Sequence, residues 1–221
     1  MFHARLVQFA QHLKFSVRTC LLLIFLSGIP LGANSASQDS IDLATQMYVA
    51  YYGRPGDPSG VIYWAEQFNQ SSNLSAVLSA FGNSPEYTAN FGTLSNAQLV
   101  NGLFQQMFNR ASDAGGLAFY VDRLQSGVAT LASIAKQIAD GAVGADRVTL
   151  NNKIAIANAF TDHIDSNGLT YQSTDIASVR ELLAAVTDSS SSVNSALNDV
   201  ADFGIELPKN ISPILDFLLN S

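Results

Sequence analysis

Among 221 residues there is one cysteine, Cys20, and three histidines, two of which, His3 and His12, lie in the same N-terminal stretch. That stretch is a leader by composition: Arg5, Lys14 and Arg18 precede an apolar run from Cys20 to Leu26, continued weakly by Ile29 and Leu31. A basic region followed by an apolar run of this length fits a secretory signal peptide. Small residues at Gly32, Ala33, Ser35, Ala36 and Ser37 place the expected cleavage between Ala33 and Ser37. The run is too short for a membrane span, so none is expected once the leader is removed; an uncleaved N-terminal anchor is the alternative. Cys20 opens the apolar run and so is not placed like a lipoprotein cysteine.

Without residues 1–36 the chain has no cysteine, which excludes disulfides, a thiolate nucleophile and cysteine-ligated metal. His163 is then the only histidine. A multi-histidine zinc site cannot be assembled, and a Ser-His-Asp triad would rest on that residue alone. Charge is sparse, at 13% of residues, and one-sided: eight basic residues against eighteen acidic ones remain, a formal charge of −10. That balance argues against nucleic acid as a partner. A surface rich in Asn, Ser, Gln and Thr suits neutral polar partners such as sugars. No cofactor is expected. Runs of alternating β-branched residues bounded by turns are also missing, which leaves an all-α fold.

What the sequence does contain is a repeat. Residues 41–68 lie over 97–124 without a gap at an offset of 56. Arg54, Asp57, Gly60 and the pair Tyr63-Trp64 fall on Arg110, Asp113, Gly116 and the pair Phe119-Tyr120. With one inserted residue, Leu74, Val77, Leu78 and Phe81 fall on Leu131, Ile134, Ala135 and Ile138, each set an i, i+3, i+4, i+7 stripe. The expectation is a compact helical bundle of two pseudo-symmetric helical repeats, about 41–92 and 97–163, within a domain of residues 37–168. A helical extension would follow over 169–221.

Punctuation places the helices. One runs from about Ile41 to Tyr52 and is ended by Gly53. Asp57 as N-cap with Pro58 at the first helical position starts another to about Phe68. Short helices follow at 74–81 and, opened by Ser84-Pro85-Glu86, at 85–90. In the second copy Ser95 opens a helix to about Asn109, Asp113 caps one to about Leu124, and Thr130 opens one to Asp140. A long helix spans about Asp146 to His163, then helices near 175–187 and 192–203 are separated by a linker at Ser189–Ser192. Ile211–Leu219 forms a short apolar patch that closes the core or docks a partner or membrane surface.

The repeated motif has a structural and a binding reading. Structurally, Asp57 and Asp113 cap helix N-termini, Arg54 and Arg110 clamp those carboxylates, and Gly60 and Gly116 allow close helix packing. For binding, adjacent helical residues point about 100 degrees apart, so one aromatic of each pair, Tyr63 or Trp64 and Phe119 or Tyr120, is expected to face outward. Trp64 or Tyr120 could then stack on a sugar ring.

These features resemble a known family, the domain of unknown function 4214 found in secreted bacterial repeat proteins and surface-layer proteins. The resemblance rests on Arg54–Trp64, on its copy Arg110–Tyr120, and on a closing helix in which Asn152-Lys153 and Phe160-Thr161 match the family's Asn-Lys and Phe-Thr positions. It spans roughly residues 40–164. It implies attachment or assembly at the cell exterior, with surface polysaccharide or a surface protein as partner, and supplies no catalytic residues. This chain departs from longer relatives in its leader and in lacking glycine-aspartate calcium-binding repeats.

Two other chemistries compete with that reading. Asp162–Gly168 has acids and a glycine spaced somewhat like a calcium loop, but lacks the starting acid and the closing Glu; a helix end with Gly168 in a turn accounts for it. A carboxylate glycoside hydrolase would use Asp57 with Asp113, although N-cap placement suits a structural role better than a general acid. The chain is therefore expected to be an exported, non-enzymatic module at the periplasm or cell surface, with a periplasmic protein-interaction domain as a further alternative.

Overall fold

Side-chain oxygens start eight of the ten helices among the described residues. In the computed structural model, which describes residues 36–204, α1 is Gln38–Tyr52, α2 Pro58–Gln70, α3 Leu74–Gly82, α4 Pro85–Phe91 and α5 Asn96–Phe108. Then come α6 Ala114–Gln125, α7 Leu131–Gly141, α8 Gly144–Ser166, a 3-10 turn at Ser173–Asp175, α9 Ile176–Ala185 and α10 Ser190–Asp202. No strand occurs among the described residues. The expected leader and the Ile211–Leu219 patch lie outside them.

Ser37, Asp57, Asn73, Ser84, Ser95, Asp113, Thr130 and Ser189 each accept a hydrogen bond from a backbone N–H of the helix they precede. This satisfies donors that have no partner within the helix. Three starts differ from the sequence reading. Ser37 captures Ser40 and so begins α1 ahead of Ile41. The long helix begins at Gly144 with no side-chain cap and runs on to Ser166. Ser189 is a cap rather than linker, so α10 begins at Ser190.

Helix ends repeat across the two copies as well. Gly53 closes α1 at φ 63° and Asn109, its counterpart at the 56-residue offset, closes α5 at φ 59°. Both are left-handed, a conformation that glycine adopts freely and asparagine tolerates best among the others.

The core is organised by α1 and α8. In α1 every residue from Met47 to Tyr52 is buried, and the helix packs against α2, α5, α7 and α8. In α8, Leu150, Lys153, Ile156, Ala157, Phe160 and Ile164 are buried at helical spacing, against α1, α2, α5, α9 and α10. Burying apolar surface on this scale is what holds short helices together, since most of them are too short to persist alone. No described helix is long and apolar enough to cross a membrane.

Candidate functional site: two arginine joints and a groove

Each copy of the motif forms a joint between two helices. Asp57 Oδ1 accepts from the Gly60 N–H at 2.8 Å, and Asp113 Oδ1 from the Gly116 N–H at 2.8 Å. The Gly116 amide bond, with smaller help from Arg110, holds the Asp113 carboxyl below its usual range. The arginines do not clamp these aspartates. Arg54 instead donates from Nε and Nη2 to Glu86 at 2.9 and 2.6 Å. Arg110 makes the same fork with Asp146, with Nε at 2.9 Å from Oδ1. The reason lies in the helix starts: Asp57 and Asp113 are already committed to their own amides. Glu86 and Asp146 lie in the first turns of α4 and α8, where the helix dipole favours an anion.

The rest of each joint matches closely. Arg54 Nη1 donates to the Pro55 carbonyl at 2.8 Å and Arg110 Nη1 to the Ala111 carbonyl at 2.9 Å. The Arg54 guanidinium lies 5.3 and 5.5 Å from the ring centres of Tyr48 and Tyr52, and that of Arg110 lies 5.4 and 5.8 Å from Phe104 and Phe108. These rings are counterparts at the same offset. They supply π faces for the cation in both joints.

Burial separates the two joints. The Arg54 side chain is 9% exposed and that of Arg110 44%. Residues after α8 cover the first joint: Tyr171 stacks 5.5 Å from Arg54, and Arg180 Nε donates to the Tyr52 carbonyl at 2.9 Å. Burial alone would make Arg54 less basic, yet the hydrogen bonds to Glu86 outweigh it with help from Tyr171, and its pKa is raised.

Residues of α8 fasten both joints. Thr161 Oγ1 donates to the Gly56 carbonyl at 3.0 Å in the first. In the second, Lys153 Nζ donates to the Gln106 carbonyl at 2.7 Å and to Asn109 Oδ1 at 2.6 Å, closing the end of α5. Lys153 is 1% exposed, and burial pushes its pKa down to about 8. Asn152 Nδ2 donates to the Thr187 carbonyl at 2.8 Å, and Phe160 is buried edge-on against Tyr171 and Phe203.

The glycines of the motif differ in role. A Cβ on Gly60 would fall 2.5 Å from the Tyr48 hydroxyl of α1, so this glycine does permit close helix packing. A Cβ on Gly116 would meet only the Ser112 and Asp113 side chains of its own loop, at 3.1 Å or more, so that glycine does not.

The outward aromatics are Tyr63 and Phe119, each 54% exposed; Trp64 and Tyr120, read from sequence as the stacking rings, pack inward. Register decides this. Val61, Trp64, Ala65 and Phe68 form one i, i+3, i+4, i+7 face against the core, and Leu117, Tyr120, Val121 and Leu124 form the other. Trp64 meets Phe81 at 5.1 Å and Tyr120 meets Phe104 at 6.3 Å. Phe119 carries the Arg123 guanidinium at 5.3 Å, whereas Tyr63 borders an open groove.

That groove, about 820 Å³, runs between α2 and the end of α8. Its walls include Asp57, Ile62, Tyr63, Glu66, Asp165 and Tyr171. A smaller recess of about 140 Å³ shares Pro58, Ile62 and Asp165 with it and adds Asp162 and Asn158. Asp57 thus lines the groove, while Asp113 is absent from both sets of walls. In the Asp162–Gly168 stretch, Gly168 turns the chain at φ 60°, and His163 Nε2 lies 3.0 Å from the Phe203 carbonyl.

Sequence reading missed Glu86 and Asp146 as arginine partners, although each is an acid in a first helical turn, 32 and 36 residues after its arginine. It also missed Glu66, Asp165 and Tyr171, which only tertiary packing brings beside Tyr63. Neither curated proteins nor solved structures give a match to this chain. Residues 78–142 do match the family model described as a domain of unknown function (DUF4214), a stretch that holds Arg110–Tyr120 and starts after the Arg54–Trp64 loop. That segment, narrower than the 40–164 of the resemblance, is where the chain matches the DUF4214 family.

Proposed function

We propose that this chain is an exported, non-enzymatic module that attaches or organises material at the bacterial surface by binding polysaccharide along the Tyr63 groove. The groove carries the reading. It sets a half-exposed phenol ring on a helix held at its start by Asp57, beside carboxylates that accept hydroxyl protons. An aromatic ring offers a sugar its face with little conformational entropy to lose, and neighbouring acceptors fix orientation. An open groove lets a polymer chain run through it, as an anchoring module needs. Exposed Phe119 favours a second reading, assembly with a surface protein.

Fractionation of cells making the tagged full chain tests the proposal, comparing wild type with Tyr63→Ala. Wild type is expected to sediment with the surface fraction and to be released when surface polysaccharide is stripped. The variant is expected in the soluble pool, with its melting temperature unchanged because Tyr63 is half exposed. Equal retention of both proteins would sink the idea. Release of reducing sugar by wild type, lost in Asp57→Asn, would replace attachment with hydrolysis.

A further inference from the structure

Four carboxyl side chains, Asp57, Glu66, Asp162 and Asp165, line the groove and its adjoining recess, and among the described residues no Lys, Arg or His lines either. Asp57 is partly engaged by the start of α2. Among the described residues, none of Glu66, Asp162 and Asp165 takes part in an ion pair. Elsewhere Glu86, Asp140 and Asp146 do have cationic partners. The groove is therefore a one-signed surface around an exposed ring, with the sugar-stacking face and the charge on the same walls.

From this we infer that the groove selects glycans bearing free, protonated amines, such as polymers of non-acetylated amino sugars, over neutral acetylated and anionic ones. The inference rests on the polysaccharide reading of the same groove. A sugar stacked on Tyr63 would carry its ring substituents toward the carboxylates of α2 and α8, where an ammonium group replaces solvent as their partner. A uronate or phosphate there would meet like charge with no cation in the walls to offset it. Ring stacking would hold the polymer and charge would choose it.

Trp64, the only tryptophan, is 5.1 Å from Tyr63 and reports on the groove by its fluorescence. The full chain is titrated with glucosamine oligomers, N-acetylglucosamine oligomers of equal length and oligogalacturonate, at a mildly acidic pH that keeps the amines protonated. The free-amine oligomer is expected to bind about tenfold tighter than the acetylated one and to lose that advantage in high salt. Glu66→Gln with Asp165→Asn should shrink the gap to about twofold or less, since charge alone is removed. Tyr63→Ala should weaken both sugars.

Equal affinity for the free-amine and acetylated oligomers, or preference for oligogalacturonate, overturns the selectivity while leaving glycan binding intact. Binding of none of the three sugars overturns both readings. Capture of oligolysine alone, without any sugar, overturns them in favour of a protein partner.

Discussion

The joints at Arg54 and Arg110 share a hydrogen-bond plan but not a setting. Each arginine forks onto an acid in a helix first turn, donates to the next residue's carbonyl and lies over two aromatic rings. Only the first is then roofed, by Tyr171 and Arg180. The same motif is therefore a buried ionic core on one side of the molecule and a surface contact on the other. A pattern repeated within a sequence need not have one energetic meaning, because burial determines what an ion pair is worth.

The largest test of that difference is paired substitution. Arg54→Ala leaves Glu86 with only the longer 3.5 Å contact to Arg180 and removes a cation from between three rings, and is expected to cost about 3 kcal/mol. Arg110→Ala removes an exposed pair and should cost about 0–1 kcal/mol. Urea unfolding of both variants measures this, and equal losses would show that the roof over Arg54 is energetically idle.

A second comparison concerns one position in each loop. Gly56 is buried, and a Cβ there would lie 2.8 Å from ring carbons of Tyr48; its counterpart Ser112 already carries a side chain. Gly56→Ala is expected to destabilise by about 1–3 kcal/mol through overpacking. Ser112→Ala should stay within about 0.5 kcal/mol. Thermal melts of the two variants sharpen the contrast, and a silent Gly56→Ala would mean that the first loop can yield.

The third and smallest effect belongs to the second joint. Lys153 is less basic when folded, at about 8, than in the unfolded chain, at about 10.4. Between these values the unfolded chain holds the proton and the folded one has released it, so stability rises with pH across that window. A neutral amine still has two N–H donors for Gln106 and Asn109. Above about pH 10 buried Tyr48, Tyr51 and Tyr52, whose pKa values are raised chiefly by burial, reverse the trend as the unfolded chain ionises first. Lys153→Met should abolish the rise between pH 8 and 10 while costing about 1–3 kcal/mol at neutral pH for the acceptors left unpaired. Denaturant unfolding as a function of pH decides it, and an unaltered slope would remove Lys153 as its source.

Much of the fold was legible because its starts and stops are local chemistry. Asp57-Pro58, Ser84-Pro85, Ser95 and Thr130 cap the helices they were expected to cap, since a cap needs only the next three residues. The arginine partners were not legible, because Glu86 and Asp146 reach their arginines only after two intervening helices fold back. The outward rings were within reach: the helical stripe through Val61, Ala65 and Phe68 already takes Trp64 inward and leaves Tyr63 outside. The groove was not, since α2 and the end of α8 are far apart in sequence and only their packing sets Glu66 beside Asp165.

Helix α8 has a consequence for how the chain is made. The Gly56 carbonyl, in the first joint to leave the ribosome, waits for Thr161, 105 residues later in synthesis. The second joint waits for Lys153 of the same helix. Neither copy can finish alone, as units of a stacked array can by adding one neighbour at a time. A nascent chain would hold both joints unlatched until one late segment arrives and closes them together.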